Sequence, residues 1–328
     1  MMPRFSRSDH FLLLGCTGLF GKEILNRFFQ AFIAGDQLPK ITLVTRSIDR
    51  TLSRYPELKS IASLVEIDFS TSSSLSIDTA PTHILHMANT SAYDTFHGAN
   101  QFSKYLLLLN SSLAIKSLLD QFRTVRRVLF TSSGVAYGPG SDYMETSLPK
   151  VNPSDVSMSL AFGKLTSEFV LSSAITRSSA SLCIARCFSF ISPWLPTDLH
   201  YALGSFVSKA VVNEEIVITS DGSDLRSYQH ISDTVDWLLQ LLTLPNVPHL
   251  INVGSDRSIS ILELAKLVVK ILDSGSKISV LNISNPTDNF RRNCYIPSLS
   301  TANSLGLTNS IELEQGILEL AQHLRASL

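Results

Sequence analysis

The segment His10-Phe-Leu-Leu-Leu-Gly-Cys-Thr-Gly-Leu-Phe-Gly21 carries three glycines at three-residue steps after a short apolar run. The residues that follow, Lys22-Glu-Ile-Leu-Asn-Arg-Phe-Phe29, have the pattern of an amphipathic helix. A strand, a glycine turn and a helix N-terminus in this order predict a pyrophosphate site, because backbone N–H groups and the helix dipole there favour an anion. We expect Gly15 to allow the tight turn, Gly18 to admit the phosphate and Gly21 to let the helix pack closely.

Apolar runs and helical patterns alternate through the first half of the chain. The runs read as strands at 11–14, 41–45, 64–68, 83–88, 127–131 and 181–186, and helices are predicted at Leu19–Ile33, 101–119 and 158–172. Near-continuous apolar strands separated by helices predict a doubly wound parallel sheet of the α/β class. Its ligands are expected at the carboxyl ends of the strands.

After residue 186, prolines and turns break the pattern into shorter pieces. Helices at 233–242, 260–272 and 311–324 alternate with strands at 215–219 and 249–253. We therefore predict a first domain over residues 1–186 and a smaller mixed α/β substrate-binding lobe over residues 187–328. The lobe is expected to be interleaved with the first domain rather than joined to it by a linker.

The composition narrows the class of protein. Of the 328 residues, 44% are hydrophobic and 17% are charged, which suits a compact globular protein with a large core. A formal net charge of −1 gives no overall attraction to nucleic acid or to an acidic membrane, and no apolar run is long enough to cross a bilayer. The polar segment at residues 1–9 has no signal-peptide core, and the four cysteines form no C-x-x-C pair. We expect a cytoplasmic protein with free thiols and no metal site.

Several further segments resemble, in their order and spacing, those of one family. They are Asp68 after the third strand, His86-Met-Ala-Asn89 after the fourth, Asn110, Thr131-Ser-Ser-Gly-Val-Ala-Tyr-Gly138 at the end of the fifth, the helix with Lys164 and Glu168, and the segments at 186–193 and 221–233. Together with the glycine turn they resemble the extended short-chain dehydrogenase/reductases of the nucleotide-sugar epimerase/dehydratase group, nearly from end to end. The resemblance implies that the first domain is a Rossmann-type, NAD(P)-binding domain.

The resemblance also implies which residues hold the cofactor: Gly15, Thr17, Gly18, Leu19, Phe20, Gly21, Arg46, Asp68, Phe69, Met87, Ala88, Asn89 and Lys164. Lys164 is expected at the nicotinamide ribose, although an ordinary helix lysine paired with Glu168 is the alternative. Relatives that prefer NAD end the second strand on an acidic residue, whereas this chain has Thr45-Arg46-Ser47. An arginine there can accept the 2′-phosphate of NADP, so NADP is favoured over NAD.

The family implies a nucleotide-diphosphate sugar as the substrate. Its diphosphate is expected on Arg226 and its hexose near Ser133, with Arg292 as a further phosphate contact and Ser189 where relatives have an asparagine. Relatives form a dimer through the helices predicted at 101–119 and 158–172, so a homodimer is expected. No nucleic-acid or membrane partner is expected, and a role in polysaccharide biosynthesis follows from the family alone.

One position departs from the family pattern. Relatives carry a tyrosine four residues before the lysine, on the same helix face, and use it with the catalytic serine or threonine, here Ser133, to move a proton. Counting back from Lys164 gives Leu160. Leucine cannot take a proton, and general acid–base catalysis contributes about 10²–10⁴-fold in rate. Tyr137 could supply the phenol, Ser133 through water or His86 could act instead, or the protein binds both ligands without efficient turnover.

A second departure concerns the type of reaction. Dehydratases of the family carry acidic residues directly after the catalytic serine or threonine, and decarboxylating relatives keep a glutamate there. The corresponding residues here are Gly134 and Val135, and neither moves a proton. The predicted function is an NAD(P)-dependent epimerase or reductase of a nucleotide hexose with an altered proton-transfer site. The alternative is a catalytically silent protein that binds the same two ligands.

Overall fold

The structure, a computed structural model, describes residues 5–89, 100–141, 143–197, 201–282 and 293–327. Its strands are β1 (His10–Leu14), β2 (Lys40–Thr45), β3 (Ser63–Glu66), β4 (His83–His86), β5 (Arg127–Ser133), β6 (Ser181–Cys187), β7 (Phe190–Ile191), β8 (Ile216–Ile218), β9 (Leu225–Arg226), β10 (Gln229–His230), β11 (Leu250–Val253), β12 (Ile259–Ser260), β13 (Ile278–Val280) and β14 (Cys294–Tyr295). Its α-helices are α1 (Leu19–Ile33), α2 (Ile48–Arg54), α3 (Gln101–Gln121), α4 (Ser159–Ile175), α5 (Ala202–Val211), α6 (Ile231–Thr243), α7 (Ile261–Leu272), α8 (Ser300–Ser304) and α9 (Leu313–Arg325). Short 3₁₀ turns lie at Pro56–Ser60, Gly134–Tyr137 and Val156–Met158.

Seven strands form one sheet in the order β11-β6-β5-β4-β1-β2-β3. The pairs β3–β2, β2–β1, β1–β4 and β4–β5 are parallel. The strand order reverses between β1 and β4, and the register places Leu14 beside both Val44 and His86. The doubly wound parallel sheet predicted from the sequence is therefore confirmed. The loops after β1 and β4 meet at its switch point, where such sheets bind ligands.

The central strands are buried on both faces, which explains their near-continuous apolar sequence. All five residues of β1 are buried, as are six of the seven residues of β5. Helix α1 adds Ile24, Leu25 and Phe28 to the core. Each large apolar side chain that is fully buried contributes about 1.5–3 kcal/mol to stability. This packing holds the strand ends that carry the predicted site.

The predicted strands and helices of the first half form with small shifts at their ends. Strands β3 and β4 each end two residues before the predicted end, because a turn begins at Asp68 and the chain leaves the sheet after His86. Helices α2, α5 and α8 were not predicted. In α5 the helical pattern is interrupted by Gly204, and a Cβ on that residue would collide with the Pro196 carbonyl oxygen. The glycine is thus required by packing, although it weakens the helical signal in the sequence.

The chain forms two compact units whose segments alternate along the sequence. The first comprises Met1–Gly138, Pro149–Arg186 and Val235–Ile251, and the second comprises Pro139–Leu148, Cys187–Thr234 and Asn252–Leu328. The second unit holds small sheets, β7–β10, β12-β9-β14 and β8–β13. One junction between segments lies between Arg186 and Cys187, and the strand predicted at 249–253 forms as β11 at the edge of the main sheet. The division into a domain over residues 1–186 and a lobe over residues 187–328 stays a prediction. None of the helices that the structure describes is long and apolar enough to cross a membrane.

Candidate functional site

The turn after β1 contains glycine for steric reasons. Gly15 has a φ angle of +85°, and a Cβ there would lie 2.6 Å from the Ala88 nitrogen after β4. A Cβ on Gly21 would collide with the backbone of Cys16. Gly18, the N-cap of α1, is less constrained, since its Cβ would lie 3.3 Å from the nearest backbone oxygen. The backbone at Gly15 therefore lies so close to the end of β4 that no residue with a Cβ fits at this position.

The N-terminus of α1 presents a surface that suits an anion. Thr17 and Gly18 are exposed at the tip of the turn, with Leu19 and Phe20 half-buried behind them. The first turn of α1 contains no acidic residue, and Gly18 offers no side-chain cap. Burial raises the pKa of the Cys16 thiol to about 12, so this neighbour is uncharged at neutral pH. These residues fit the pyrophosphate of a dinucleotide, because the helix dipole there faces no negative charge from its own first turn.

The loops after β2, β3 and β4 carry the other residues predicted for the cofactor. The exposed residues are Arg46, Asp68 and Asn89. The buried residues are Phe69, Met87 and Ala88. The Asp68 carboxylate accepts a hydrogen bond from a backbone amide of its own turn at 2.8 Å. Asn110 of α3 donates from Nδ2 to the Phe69 carbonyl oxygen at 2.9 Å. Asn110 thereby holds the loop after β3, a role that the sequence did not reveal.

Lys164 of α4 lies against the end of β5. Its side chain donates from Nζ to the Thr131 carbonyl oxygen at 2.8 Å and lies 4.9 Å from the centre of the Phe130 ring. The residue is 2% exposed. Glu168, the partner of Lys164 in the alternative interpretation, accepts hydrogen bonds from Arg186 and a serine. Lys164 is therefore a buried cation at the sheet edge that carries the glycine turn.

A buried ion pair lies beneath the end of β5. Glu168 accepts two hydrogen bonds from Arg186 of β6, at 3.0 and 2.7 Å, and one from the Ser132 hydroxyl at 2.5 Å. The Arg186 guanidinium lies 4.2 Å from the centre of the Tyr137 ring, and Tyr137 is only 3% exposed. Burial alone lowers the pKa of Arg186, but the hydrogen bonds and charge of Glu168 raise it above its ordinary value. Tyr137 is thus a buried neighbour of Arg186, largely closed to solvent.

Ser133 and His86, the other candidates for proton transfer, differ in accessibility. Ser133 is half-buried; its Oγ accepts the Val135 amide at 3.3 Å, and none of the described acceptors takes its proton. His86 is fully buried, with Nε2 3.2 Å from the Ser111 hydroxyl and Nδ1 without a partner in the described part of the chain. Burial, and then the charge of Lys164, lower the pKa of His86 to about 3, so the ring is neutral. Of these two residues, Ser133 is the one that a ligand can reach.

The position at which a tyrosine is expected lies in the first turn of α4. Leu160 is half-buried there, one helical turn before Lys164. Phe162 does not replace it, because its ring stacks on Tyr105 of α3 with the ring centres 5.6 Å apart. This turn of α4 therefore presents no phenol towards the end of β5.

In the second unit, Arg226 lies on β9, between β12 and β14 in the three-stranded sheet. Its guanidinium donates to the carbonyl oxygens of Leu225 and Asn293 at 2.9 and 3.2 Å. It also pairs with the Asp224 carboxylate at 3.4 Å. Arg226 is half-buried, so its cation is oriented by its own sheet and still partly open to solvent.

Two further residues, Ser189 and Arg292, are predicted to contact the substrate. Ser189 precedes β7, and its carbonyl oxygen accepts the Gln229 amide at 3.1 Å, which joins β7 to β10. Arg292 lies outside the described residues. Within the ranges that the structure does describe, no group of three or more histidine, cysteine or acidic residues could hold a metal, and the four cysteines are free thiols.

Two pairings in the first unit were missed by the sequence reading. Glu168 and Arg186 each belong to a matching segment, but nothing in the sequence joins them. Lys22, in the first turn of α1, is half-buried, and burial followed by the charge of Arg54 of α2 lowers the pKa of Lys22. No pattern within either segment of the sequence predicts these interactions, because the interacting residues belong to different helices and strands.

The sequence matches the model of the NAD dependent epimerase/dehydratase family over residues 11–254. The chain belongs to this family. The resemblance predicted from the motifs is thereby confirmed. UDP-glucuronic acid decarboxylase 4 of Arabidopsis thaliana is 29% identical over 198 residues, which is 60% of this chain and 44% of that protein. The chain spans about half the length of the curated relatives that it matches.

Solved structures of similar shape cover nearly the whole chain. UDP-N-acetylglucosamine 4-epimerase from Methanobrevibacter ruminantium, in complex with UDP-N-acetylmuramic acid, has a TM-score of 0.79 at 16% identity and covers 98% of this chain and 100% of its own. UDP-glucuronic acid 4-epimerase from Bacillus cereus, in complex with UDP-glucuronic acid and NAD, has a TM-score of 0.76 at 15% identity, with 97% and 100% covered. At such low identity the likeness shows the fold, and it agrees with the Rossmann-type architecture.

Proposed function

We propose that this chain binds a nicotinamide dinucleotide at the Gly15–Gly21 turn and acts with it on a nucleotide-diphosphate sugar, as an epimerase or reductase. The observation that carries this proposal is the glycine turn at the switch point of the sheet, where a Cβ on Gly15 would lie 2.6 Å from Ala88. The family is described as NAD dependent, which supports the cofactor class. When bound, such a cofactor accepts hydride from, or donates it to, a carbon of the sugar.

The positions of residues along the sheet edge indicate which part of the cofactor each would contact. Lys164 is assigned to the nicotinamide ribose, because its ammonium reaches the end of β5 at the edge that carries the glycine turn. Asp68 and Phe69, held by Asn110, are assigned to the adenine end, with Met87, Ala88 and Asn89 along the cofactor. Arg46 is exposed directly after β2, where a guanidinium can bind a ribose phosphate, so NADP is the preferred form.

Arg226 is assigned to the diphosphate of the sugar nucleotide. Two backbone carbonyls orient its guanidinium, and the contact with Asp224 at 3.4 Å is loose enough for a phosphate to displace. Ser189 and Arg292 are assigned as further contacts of the substrate. Both structural neighbours described above hold a UDP-linked sugar, which makes UDP the first nucleotide to test.

Ser133 is assigned to the reacting hydroxyl of the sugar. It is half-buried and its proton has no acceptor among the described residues, whereas Tyr137 is closed beneath Arg186 and His86 is buried and neutral. A serine hydroxyl is a much weaker acid than a phenol activated by lysine, so Ser133 can only relay the proton. It accepts the proton of the sugar hydroxyl as it passes its own proton to a water molecule. Slow turnover is the expected consequence, since general acid–base catalysis contributes about 10²–10⁴-fold.

The curated relatives are decarboxylases, but decarboxylation is not the reaction proposed here. The two residues after Ser133, Gly134 and Val135, begin a 3₁₀ turn and carry no carboxylate. Without a proton-transferring side chain at these positions, oxidation and reduction at a sugar carbon, with or without inversion, is the chemistry that the remaining residues support.

Leu160 favours a second candidate function, a silent protein that binds the cofactor and the sugar nucleotide without turnover. The scaffold around the missing phenol is intact, since Lys164 still reaches Thr131 and Glu168 still binds Arg186. Such a protein would serve as a regulatory or assembly subunit.

Incubation of the purified chain with NAD⁺ or NADP⁺ and UDP-, dTDP-, CDP- or GDP-hexoses separates these functions, with 340 nm absorbance and product chromatography as readouts. Turnover with any pair supports the enzyme. Thermal stabilisation by both ligand classes without turnover supports the silent protein. No stabilisation at millimolar ligand contradicts both. If turnover is found, Tyr137→Phe distinguishes the bases, because unchanged activity excludes Tyr137.

A homodimer through α3 and α4 is also proposed. The exposed faces of these helices carry Phe102 and Phe169, which are 64% and 73% exposed, and the Tyr105–Phe162 stack lies between the helices. Exposed apolar side chains grouped on packed helices mark interaction surfaces. Light scattering should give a dimer for the native chain and a monomer for Phe169→Glu. The cytoplasmic location predicted from the free thiols stays a prediction.

A further inference from the structure

A cavity of about 490 Å³ lies in the first unit at the amino edge of the main sheet, where the strands begin. The chain borders it just before four strands: at Ser8 before β1, at Ala80 and Thr82 before β4, at Arg123–Arg126 before β5, and at Ser179 before β6. The glycine turn lies at the opposite edge of this sheet, after β1. The volume suits a small metabolite, and a lining made mostly of arginines and hydroxyls favours a polar one.

Hydrogen bonds between the connections hold the walls of the cavity. The Thr124 hydroxyl donates to the Pro81 carbonyl oxygen at 3.0 Å, and the Arg126 amide donates to the Thr82 carbonyl oxygen at 2.7 Å. The Arg126 carbonyl oxygen accepts from the amide and the hydroxyl of Ser181, at 2.9 and 3.1 Å. The connections before β4, β5 and β6 are therefore tied together by the chain itself. A ligand that enters such a preformed cavity does not have to order loops in order to bind.

Two guanidiniums border the cavity and have donors left for a ligand. Arg123 is exposed and donates from Nη1 to the Arg177 carbonyl oxygen at 2.8 Å, which is a neutral acceptor. Arg126 contacts the Asp9 carboxylate at 3.3 Å, and its side chain is 61% exposed. A guanidinium carries five N–H donors, so most of those on these two arginines can reach an anion.

The charges at this edge favour an anion with two negative charges. Arg127, the first residue of β5, is buried, and its Nε and Nη1 have no partner among the described residues. Its Nη2 donates to two backbone carbonyl oxygens, which do not balance its charge. His83, beside Arg127 in β4, is neutral because burial lowers its pKa to about 4. With Arg123 and Arg126, Arg127 makes three cations, against which the contacts described here set one carboxylate, that of Asp9.

The ends of two helices offer these arginines an alternative role. Helices α3 and α4 end at this edge of the sheet, at Gln121 and Ile175, and the negative ends of their dipoles attract cations. Asp120, in the last turn of α3, is already paired with a lysine of its own helix at 2.6 Å. Arg126 belongs to neither helix. Its guanidinium contacts Asp9, before β1, so the helix dipoles do not explain its position.

We propose that this cavity binds the phosphate monoester of a small hydroxylated molecule, such as a sugar phosphate, through Arg123 and Arg126. A phosphate monoester carries nearly two negative charges at neutral pH, and guanidiniums bind its oxygens through paired charge-assisted hydrogen bonds. The hydroxyls of Ser8, Thr124 and Ser179 can exchange hydrogen bonds with those of the ligand. Because the cavity and the glycine turn lie at opposite edges of the sheet, this site does not depend on the proposed function.

Calorimetric titration of the full chain with glucose 6-phosphate, glucuronate and glucose at one ionic strength tests the proposal. Glucose 6-phosphate should bind at least about tenfold more tightly than glucuronate, whose carboxylate carries a single charge, and glucose should not bind measurably. Arg123→Met and Arg126→Met should each weaken the binding of glucose 6-phosphate at least about fivefold. Arg325→Met removes an exposed arginine of α9 and is the matched control, with unchanged affinity expected.

Arg226→Met distinguishes this cavity from the proposed sugar-nucleotide site. Weaker binding in Arg226→Met together with native affinity in Arg126→Met would assign glucose 6-phosphate to that other site and overturn the proposal. Equal affinity for glucuronate would also overturn it, since the preference for two charges would be absent.

Thermal midpoints of the variants separate binding from folding. Lower midpoints with native affinity in Arg123→Met and Arg126→Met would confine both arginines to a structural role and overturn the proposal. Arg126→Met decides alone where Arg123→Met does not fold, because the Arg126 side chain is largely exposed. No binding of glucose 6-phosphate to the native chain at millimolar concentration overturns the proposal and leaves the proposed function standing.

Discussion

The glycine turn after β1 and the β5–α4 region lie at one edge of the same sheet, but they depend on different parts of the chain. The turn depends on backbone geometry, since side chains on Gly15 or Gly21 would collide with neighbouring backbone. The β5–α4 region depends on side chains. There, leucine stands at position 160, where a phenol is expected, while Lys164 donates to the Thr131 carbonyl oxygen and Glu168 binds Arg186.

The difference explains why the cofactor class is easier to recognise than the reaction. A binding site formed by backbone is part of the fold, so any change that removes it also strains the chain. A catalytic hydroxyl on a helix surface can be lost without disturbing the packing around it. Conservation of the fold therefore says more about dinucleotide binding than about proton transfer.

Introducing the expected phenol should have the largest effect. Leu160→Tyr places a hydroxyl one helical turn before Lys164, and turnover of an accepted nucleotide hexose should rise about 10²–10⁴-fold. The measurement is the rate of absorbance change at 340 nm across the hexose panel. Leu160→Phe, which adds the ring without the hydroxyl, is the control and should show no rise. Unchanged turnover in Leu160→Tyr would mean that the site has diverged at other residues as well.

Breaking the buried ion pair should come next. Glu168→Ala leaves the Arg186 cation buried without its carboxylate and should lower the free energy of unfolding by about 3–5 kcal/mol. Urea denaturation measures this change. Lys116→Met removes one partner of the exposed pair with Asp120, which water screens, and should change the free energy of unfolding far less. Comparable losses in the two variants would contradict the importance given to the buried pair.

A substitution in the glycine turn tests whether dinucleotide binding depends on the backbone geometry there. Gly15→Ala forces a side chain into the left-handed region and against the end of β4, and should destabilise the chain by about 1–3 kcal/mol. It should also abolish dinucleotide binding in calorimetry. Gly18→Ala, where the φ angle is −73°, should be milder in both respects. Binding of native strength in Gly15→Ala would remove the main support for the cofactor site.

The smallest expected effect is a pH dependence from His86. Its pKa is about 3 in the folded chain and 6.5 in the unfolded chain, so on acidification the unfolded state takes up the proton first. The stability that neutral His86 contributes is complete above pH 6.5 and is lost as the pH falls towards 3. The loss is about 2 kcal/mol between pH 7 and pH 5. Urea denaturation at the two pH values should show a smaller difference in His86→Leu, whereas His323→Asn, at an exposed histidine, should match the native chain.

Much of the fold could be predicted, because its signals are local. Buried parallel strands are continuous apolar runs, and helix α1 and its glycine turn are adjacent in sequence. Helices α2 and α5 could not be read in the same way. The first has only seven residues, and the second contains a glycine that close packing against Pro196 requires.

The sequence alone established that a strand, a glycine turn and a helix are joined in the order a pyrophosphate needs, and that leucine stands where a phenol is expected. Both are matters of spacing along the chain. Only the tertiary structure decided which candidate groups a ligand can reach, enclosing Tyr137 beneath Arg186 and keeping His86 neutral while leaving Ser133 half-open. Burial and charge pairing arise when elements distant in sequence pack together, so no local pattern contains them.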